Sequence, residues 1–188
     1  TFTLSEEILN KENIELYFEG LDTYAKIYIN GNYQLEANNA FKKYSIPVKK
    51  LLKKENELRI IFTNSNSVGK NKAKNNRYQL PEGNRIYTRK AQFQTGWDWG
   101  PKLNTSGIWK SVSIKAWNDL KFENIFIRQE KLTNEVAKLS VEIEIESSTA
   151  KNANLFTQIN REIISSPISL KQGKHIYKIP LEINNPEL

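Results

Sequence analysis

Leu139, Val141, Ile143 and Ile145 alternate with Ser140, Glu142, Glu144 and Glu146. Side chains of an extended strand point alternately to opposite faces, so this run is a strand with one buried face and one wet face. The same period recurs at Ile14, Leu16 and Phe18, at Ile27 and Ile29, and at Leu58, Ile60 and Phe62, the last with Glu57 and Arg59 facing out. Helical periodicity is scarce, so the expected fold class is all-β. Asn30-Gly31, directly after Ile29, is the strongest short hairpin signal a sequence offers. Val48 to Lys54 is expected to make a short helical turn. The stretch from Asn64 to Asn84 is polar, turn-rich and aperiodic, which predicts a long loop of the kind that often carries function.

After Trp117-Asn118-Asp119 the pattern restarts. Phe122, Ile125 and Ile127 mark one strand, the Leu139 to Ile145 run a second, Leu155, Thr157 and Ile159 a third, and His175 to Ile183 a fourth. The restart divides the chain into residues 1–117 and 118–188. Glu142, Glu144 and Glu146 share a strand face, and their alternation with apolar residues reads as a solvated surface.

The 188 residues fit one large or two small domains. There is no cysteine and one histidine, His175, so neither a disulfide framework nor a histidine-rich metal site is available, and no cofactor is expected. No stretch approaches the roughly 20 apolar residues needed to span a bilayer, and the first residues lack the basic-then-apolar pattern of a signal peptide. Neither a membrane nor a nucleic acid is the expected partner. The net charge of +7 gathers at Lys42, Lys43, Lys49, Lys50, Lys53 and Lys54 and again from Lys70 to Lys74. Such clusters can attract acidic polymers. Here they lack the interleaved aromatics of single-strand binders and read as a solvated surface.

Chemistry concentrates in Gly96-Trp97-Asp98-Trp99-Gly100-Pro101, where one carboxylate sits between two indoles and strand-breaking residues bracket all three. Indole faces accept the C–H side of a pyranose, and an ionised Asp98 accepts hydrogen bonds from sugar hydroxyls, so the implied ligand is a carbohydrate. The alternative is structural, with Asp98 capping backbone N–H groups of its own turn and the indoles filling a core. For Trp99 core packing is the favoured reading. Trp109 falls in a strand expected over Ile108 to Ala116, and Trp117 lies at the domain boundary. Arg89 and Lys90 could support the loop or pair with Asp98; the sequence leaves this open.

The wider stretch Arg89-Lys90-Ala91-Gln92-Phe93-Gln94-Thr95-Gly96-Trp97-Asp98-Trp99-Gly100-Pro101, followed by Thr105-Ser106-Gly107-Ile108-Trp109-Lys110, closely resembles the end of the amino-terminal sandwich of β-mannosidases, members of glycoside hydrolase family 2. Phe18-Glu19-Gly20-Leu21-Asp22-Thr23-Tyr24-Ala25, running into Tyr28-Ile29-Asn30-Gly31, resembles that domain's central hairpin, and Asn38, Phe41, Tyr44 and Pro47 continue the pattern. The hairpin is shared with β-galactosidases and β-glucuronidases, whereas the Trp-Asp-Trp-Gly-Pro run is the mannosidase-like part.

The resemblance implies a jelly-roll, galactose-binding-like β-sandwich over residues 1–117, followed by an incomplete immunoglobulin-like β-sandwich over 118–188. It implies an internal piece of a larger enzyme, with strands expected before Thr1 and after Leu188. The catalytic glutamates of a retaining glycosidase, about 5 Å apart, would lie in an (α/β)8 barrel outside this piece, so no catalytic residue is assigned here and the piece alone is expected to be inactive. Trp97 and Asp98 would help form the pocket for a terminal β-mannose, supported by Trp99, Arg89 and Lys90. The implied partners are β-mannosides or other oligosaccharides and the barrel of the same polypeptide, in a periplasmic or secreted setting. A free-standing carbohydrate-binding module, or another family 2 β-glycosidase, is the alternative reading.

Overall fold

The structure, a computed structural model, describes residues 1–78, 80–159 and 162–186. Two compact units divide it, one spanning Thr1–Ala116 and the other beginning at Trp117. Along the first run β1 (Phe2–Thr3), α1 (Glu6–Leu9), β2 (Asn13–Phe18), β3 (Leu21–Asp22), β4 (Tyr24–Ile29), β5 (Asn32–Asn38), β6 (Tyr44–Pro47), β7 (Glu55–Asn56), β8 (Leu58–Thr63), α2 (Ser65–Lys74), β9 (Gly107–Ile108) and β10 (Val112–Trp117). Short 3-10 turns lie at Lys49–Leu51, Arg85–Tyr87 and Gln92–Thr95.

Alternation sets the core of this unit. Ile14, Leu16 and Phe18 of β2 and Ile27 and Ile29 of β4 are all fully or almost fully buried. They cluster with Ala37 of β5 and Ile46 of β6, while Leu58, Ile60 and Phe62 of β8 pack against them. Two three-stranded antiparallel sheets, in the orders β10-β2-β6 and β5-β4-β8, carry these faces. The chain passes from β4 to β5 through Asn30 and Gly31, both at positive φ (49° and 80°), as a type I′ hairpin requires. Asn30 also fixes its surroundings, donating to Leu51 O at 2.8 Å and Asn56 Oδ1 at 2.9 Å and accepting from the Glu57 N–H at 2.8 Å.

Two expectations for this unit are corrected. Within the stretch from Asn64 to Asn84, Ser65–Lys74 is the helix α2 rather than loop. No apolar stripe announces it; instead the Asn64 side chain caps the first turn, and Lys72 and Lys74 suit the negative end of the helix dipole. Gly69 seats the helix closely, since a Cβ there would come within 2.6 Å of the Asn84 carbonyl. Lys72 donates to Tyr24 Oη at 3.2 Å. The expected strand over Ile108 to Ala116 is interrupted between β9 and β10, where Glu19 N–H donates to Ser111 O at 3.0 Å. There the Trp109 indole N–H donates to Ala40 O at 2.9 Å, its ring filling the space a side chain at Gly20 would need.

The second unit contains β11 (Leu120–Leu132), β12 (Val136–Ser147), β13 (Lys151–Ile159), β14 (Glu162–Leu170) and β15 (Gly173–Asn184). One antiparallel sheet runs β11-β12-β15, and β13 pairs with β14. Val141, Ile143 and Ile145 are buried, as the alternation requires, against Leu155 and Leu170 of the hairpin and Ile179 and Leu181 of β15. Register places Phe122 opposite Ile145, Ile125 opposite Ile143 and Ile127 opposite Val141. Directly opposed residues share a face, so these three belong to the core-facing side of the sheet, yet all remain more than half exposed. The hairpin covers β12 and β15 and leaves β11 open. Strand β14 is additional to the four expected; Ser165, Ser166 and Pro167 interrupt its apolar alternation.

On the opposite face two glutamates of β12, Glu142 and Glu146, form ion pairs. Glu142 meets Lys178 at 2.7 Å, while Glu146 and Glu123 share Lys121 and Lys174. Partial burial pushes the Glu123 carboxyl up, but hydrogen bonds and charge from Lys174 and Lys121 outweigh it and hold the group at about 2, against an ordinary 4.5. A depressed folded-state pKa contributes stability that is fully present above the unfolded value and is lost as pH falls through the folded one. The melting temperature of wild type should therefore exceed that of Glu123→Gln at pH 6. That difference should shrink between about pH 4.5 and pH 2. A constant difference across a melting series would show that the Glu123 charge does not stabilise the fold.

Candidate functional site

The loop that carries Trp97, Asp98 and Trp99 is anchored before it is displayed. Lys90, with a side chain only 1% exposed, places its ammonium 3.0 Å from Asp22 Oδ2 at the end of β3 and donates also to Thr105 O. Gln94 joins the same group, donating to Asp22 Oδ2 at 3.2 Å and accepting from the backbone N–H and hydroxyl of Thr105, each at 3.2 Å. A buried lysine and aspartate are tolerable only when they face each other and their remaining hydrogen-bonding sites are filled. Asp22 is further satisfied by the Thr23 hydroxyl. This cluster pins both ends of the loop, residues 90–94 and Thr105, to the sandwich. Lys90 therefore supports the loop through Asp22 and does not pair with Asp98. Arg89 contributes through its backbone, its carbonyl accepting from Ala40 N–H at 2.8 Å, while its side chain is exposed.

At the tip, Gly100 N–H donates to Trp97 O at 2.7 Å and closes a tight turn with Asp98 and Trp99 in the middle. Asp98 sits at φ 43°, a left-handed conformation that aspartate tolerates better than most residues. Gly96 enters the turn at φ 116°, with the Lys102 stem lying where its side chain would be. Core packing of Trp99 is corrected here, because its side chain at the tip is 97% exposed. Trp97 is also exposed, at 73%. Asp98 caps nothing: among the described residues its carboxylate has no hydrogen bond or ion pair. The structural alternative for this residue is not realised.

Asp98 and Trp97 face adjoining depressions rather than a single one. Asp98 borders an open polar cleft of about 750 Å³, together with Asn66 and Lys70 of α2, Asn84, Lys102 and Asn104. Trp97 borders an apolar cleft of about 640 Å³ with Ile86 and Phe93. Glu82, Arg85 and Gly96 belong to both and form the ridge between them, with the Arg85 guanidinium paired to Glu82. The polar side can accept and donate to hydroxyls, and the apolar side can take a flat C–H face. Lys70, Lys102 and the three asparagines were not legible as a site, because the helix that brings two of them there has no apolar periodicity. Among the described residues no group of three or more His, Cys, Asp or Glu side chains could hold a metal ion.

Comparison with known proteins agrees with this architecture. The crystal structure of β-D-mannosidase from Dictyoglomus thermophilum superposes on the whole chain with a TM-score of 0.90 and 36% identity, the chain covering 24% of that protein. "Beta-mannosidase B" of Aspergillus niger is 37% identical over 122 residues, 59% of this chain and 14% of its own length. That of Aspergillus terreus is 28% identical over 185 residues, 94% of this chain and 22% of its own length. The chain thus spans less than a quarter of the length of each of these relatives. Bacteroides uniformis β-glucuronidase, at 20% identity and a TM-score of 0.66, shares the fold over all of this chain and 21% of its own. Residues 1–110 match the family described as glycosyl hydrolase 2 galactose-binding domain-like, and the chain belongs to that family.

Proposed function

We propose that the polypeptide containing this chain is an exo-acting retaining β-mannosidase and that this chain supplies part of its terminal-sugar pocket. The observation that carries the reading is Asp98: an exposed carboxylate with no partner of its own, held at the tip of a doubly anchored turn beside an open polar cleft. A carboxylate so placed can accept hydrogen bonds from sugar hydroxyls remote from the reacting carbon, and Trp97 can wall the adjoining face. Energy from such remote contacts can orient and distort the reacting ring. In this reading residues 1–117 form the jelly-roll domain and 118–188 an immunoglobulin-like one. The two catalytic glutamates belong to an (α/β)8 barrel elsewhere in the same polypeptide, which works in a periplasmic or secreted setting. The substrates are β-mannosides or β-mannosyl oligosaccharides.

The test is a kinetic panel on the full-length polypeptide with aryl β-mannoside, β-glucoside, β-galactoside and β-glucuronide. The expected result is a kcat/KM for the mannoside at least tenfold above the others, since one misplaced hydroxyl against a polar site costs about 1–3 kcal/mol. A preference for any other sugar would overturn the assignment.

A further inference from the structure

We infer that the polar cleft beside Asp98 takes a sugar carrying an anionic substituent, a carboxylate or a phosphate, next to the neutral sugar that Asp98 holds; this deepens the proposed function and rests on it. The cleft carries charges that a neutral terminal sugar leaves unused. Of the ionised groups lining the cleft, Glu82 and Arg85 neutralise each other as an ion pair. What remains is one carboxylate, Asp98, and two ammonium groups, Lys70 and Lys102. Among the described residues neither lysine has an acid partner or a carbonyl to donate to. Asp98 suits hydroxyls, whereas two unpaired ammonium groups suit an oxyanion.

Local packing restrains the segments that carry both lysines. The Lys102 stem lies against Gly96, so closely that a Cβ on that glycine would fall 2.9 Å from Lys102 Cε. Lys70 follows Gly69, the point where α2 meets the Asn84 carbonyl with no room for a side chain. Gly96 thus restrains the Lys102 stem, and Gly69 restrains the backbone from which Lys70 springs, which lowers the ordering cost of binding. The contrast with Lys72 is informative: it comes from the same helix but is engaged by Tyr24 Oη and the Tyr87 carbonyl. The surplus of basic residues over the whole chain adds a long-range attraction of the same sign.

The experiment measures dissociation constants on the full-length polypeptide with three sulfur-linked, uncleavable disaccharides: β-mannosyl-glucose, β-mannosyl-glucuronate and β-mannosyl-glucose 6-phosphate. At low salt the better acidic ligand should bind about tenfold more tightly than the neutral one, and the preference should fade as ionic strength rises. Which acidic ligand gains identifies carboxylate or phosphate as the group recognised. Lys70→Gln and Lys102→Gln should each reduce the acidic-to-neutral ratio severalfold, while Lys42→Gln, a lysine outside the cleft, should leave it unchanged. Melting curves show whether each variant is folded, and Lys70→Gln serves if the Lys102 change disturbs its loop. Equal binding of acidic and neutral ligands would overturn the inference, as would a ratio that Lys42→Gln reduces as much as the cleft variants do. Failure to cleave aryl β-mannosides would count against the proposed activity alone, because the binding ratio does not depend on cleavage.

Discussion

Replacing Asp98 with alanine in the full-length polypeptide should lower kcat/KM on an aryl β-mannoside about a hundredfold or more. A hydrogen bond to a charged group is worth about 1.5–3 kcal/mol, and a carboxylate facing two hydroxyls therefore controls roughly 3 kcal/mol or more, with tenfold in rate for each 1.4. Alanine carries a second effect, since Asp98 sits at φ 43° and an ordinary side chain there costs about 1–2 kcal/mol. Asparagine separates the two. It tolerates the left-handed backbone nearly as well as aspartate, keeps the shape and removes the charge. Asp98→Asn should retain the wild-type melting temperature and still lose tenfold or more in kcat/KM. If the asparagine variant were kinetically normal, the turn would be a scaffold and Asp98 would not touch the substrate.

Stability should respond most to Lys90. Lys90→Met removes one partner of a buried pair and leaves the Asp22 carboxylate buried without a countercharge, held only by the Thr23 hydroxyl and the Gln94 amide, a loss of about 3–5 kcal/mol. For a unit of this size that is a fall in melting temperature on the order of ten degrees. The double replacement Lys90→Met with Asp22→Leu should recover much of the loss, because it removes both charges together. A double variant as unstable as Lys90→Met would mean that the lysine acts through its bond to Thr105 O rather than through the ion pair. The single variant should also lower activity in the fraction that stays folded, since residues 90–94 and Thr105 hold the two ends of the loop that carries Asp98.

Alternation made the sheets legible. In β2, β4, β8 and β12 the apolar residues that recur every second position all lie on the face turned to a core. What alternation cannot convey is an element held by something other than an apolar stripe. Helix α2 is held by a cap, a close glycine contact and a lysine reaching two tyrosines, and none of these has a period. Nor does alternation say whether a face will be covered, which is why Phe122, Ile125 and Ile127 read as core strand and yet lie open. The candidate site divides in the same way. The Trp-Asp-Trp turn was legible because its chemistry is local, with acid and indoles adjacent in sequence. The partner of Lys90 was not, because Asp22 lies 68 positions away in sequence and the Lys90 segment is held in place by a tertiary contact, the Arg89 carbonyl accepting from Ala40 N–H beyond the end of β5. Trp99 failed for a local reason. An indole is more often core than surface, but the turn closed by Gly100 N–H on Trp97 O carries Trp99 at its tip, away from either sheet.

The open apolar face of β11 has a practical consequence for the chain as a laboratory reagent. An edge strand combines unpaired backbone groups with the sheet's flank, and here three large apolar side chains lie beside them. The charged stretch Arg128-Gln129-Glu130-Lys131 guards only one end. At working concentrations the isolated chain should be a poor solute, prone to stick edge to edge and to lose material to precipitation and to surfaces. A weak sugar titration on such a preparation would report the loss of soluble protein as much as the affinity of the cleft, so the light-scattering record belongs beside every binding curve.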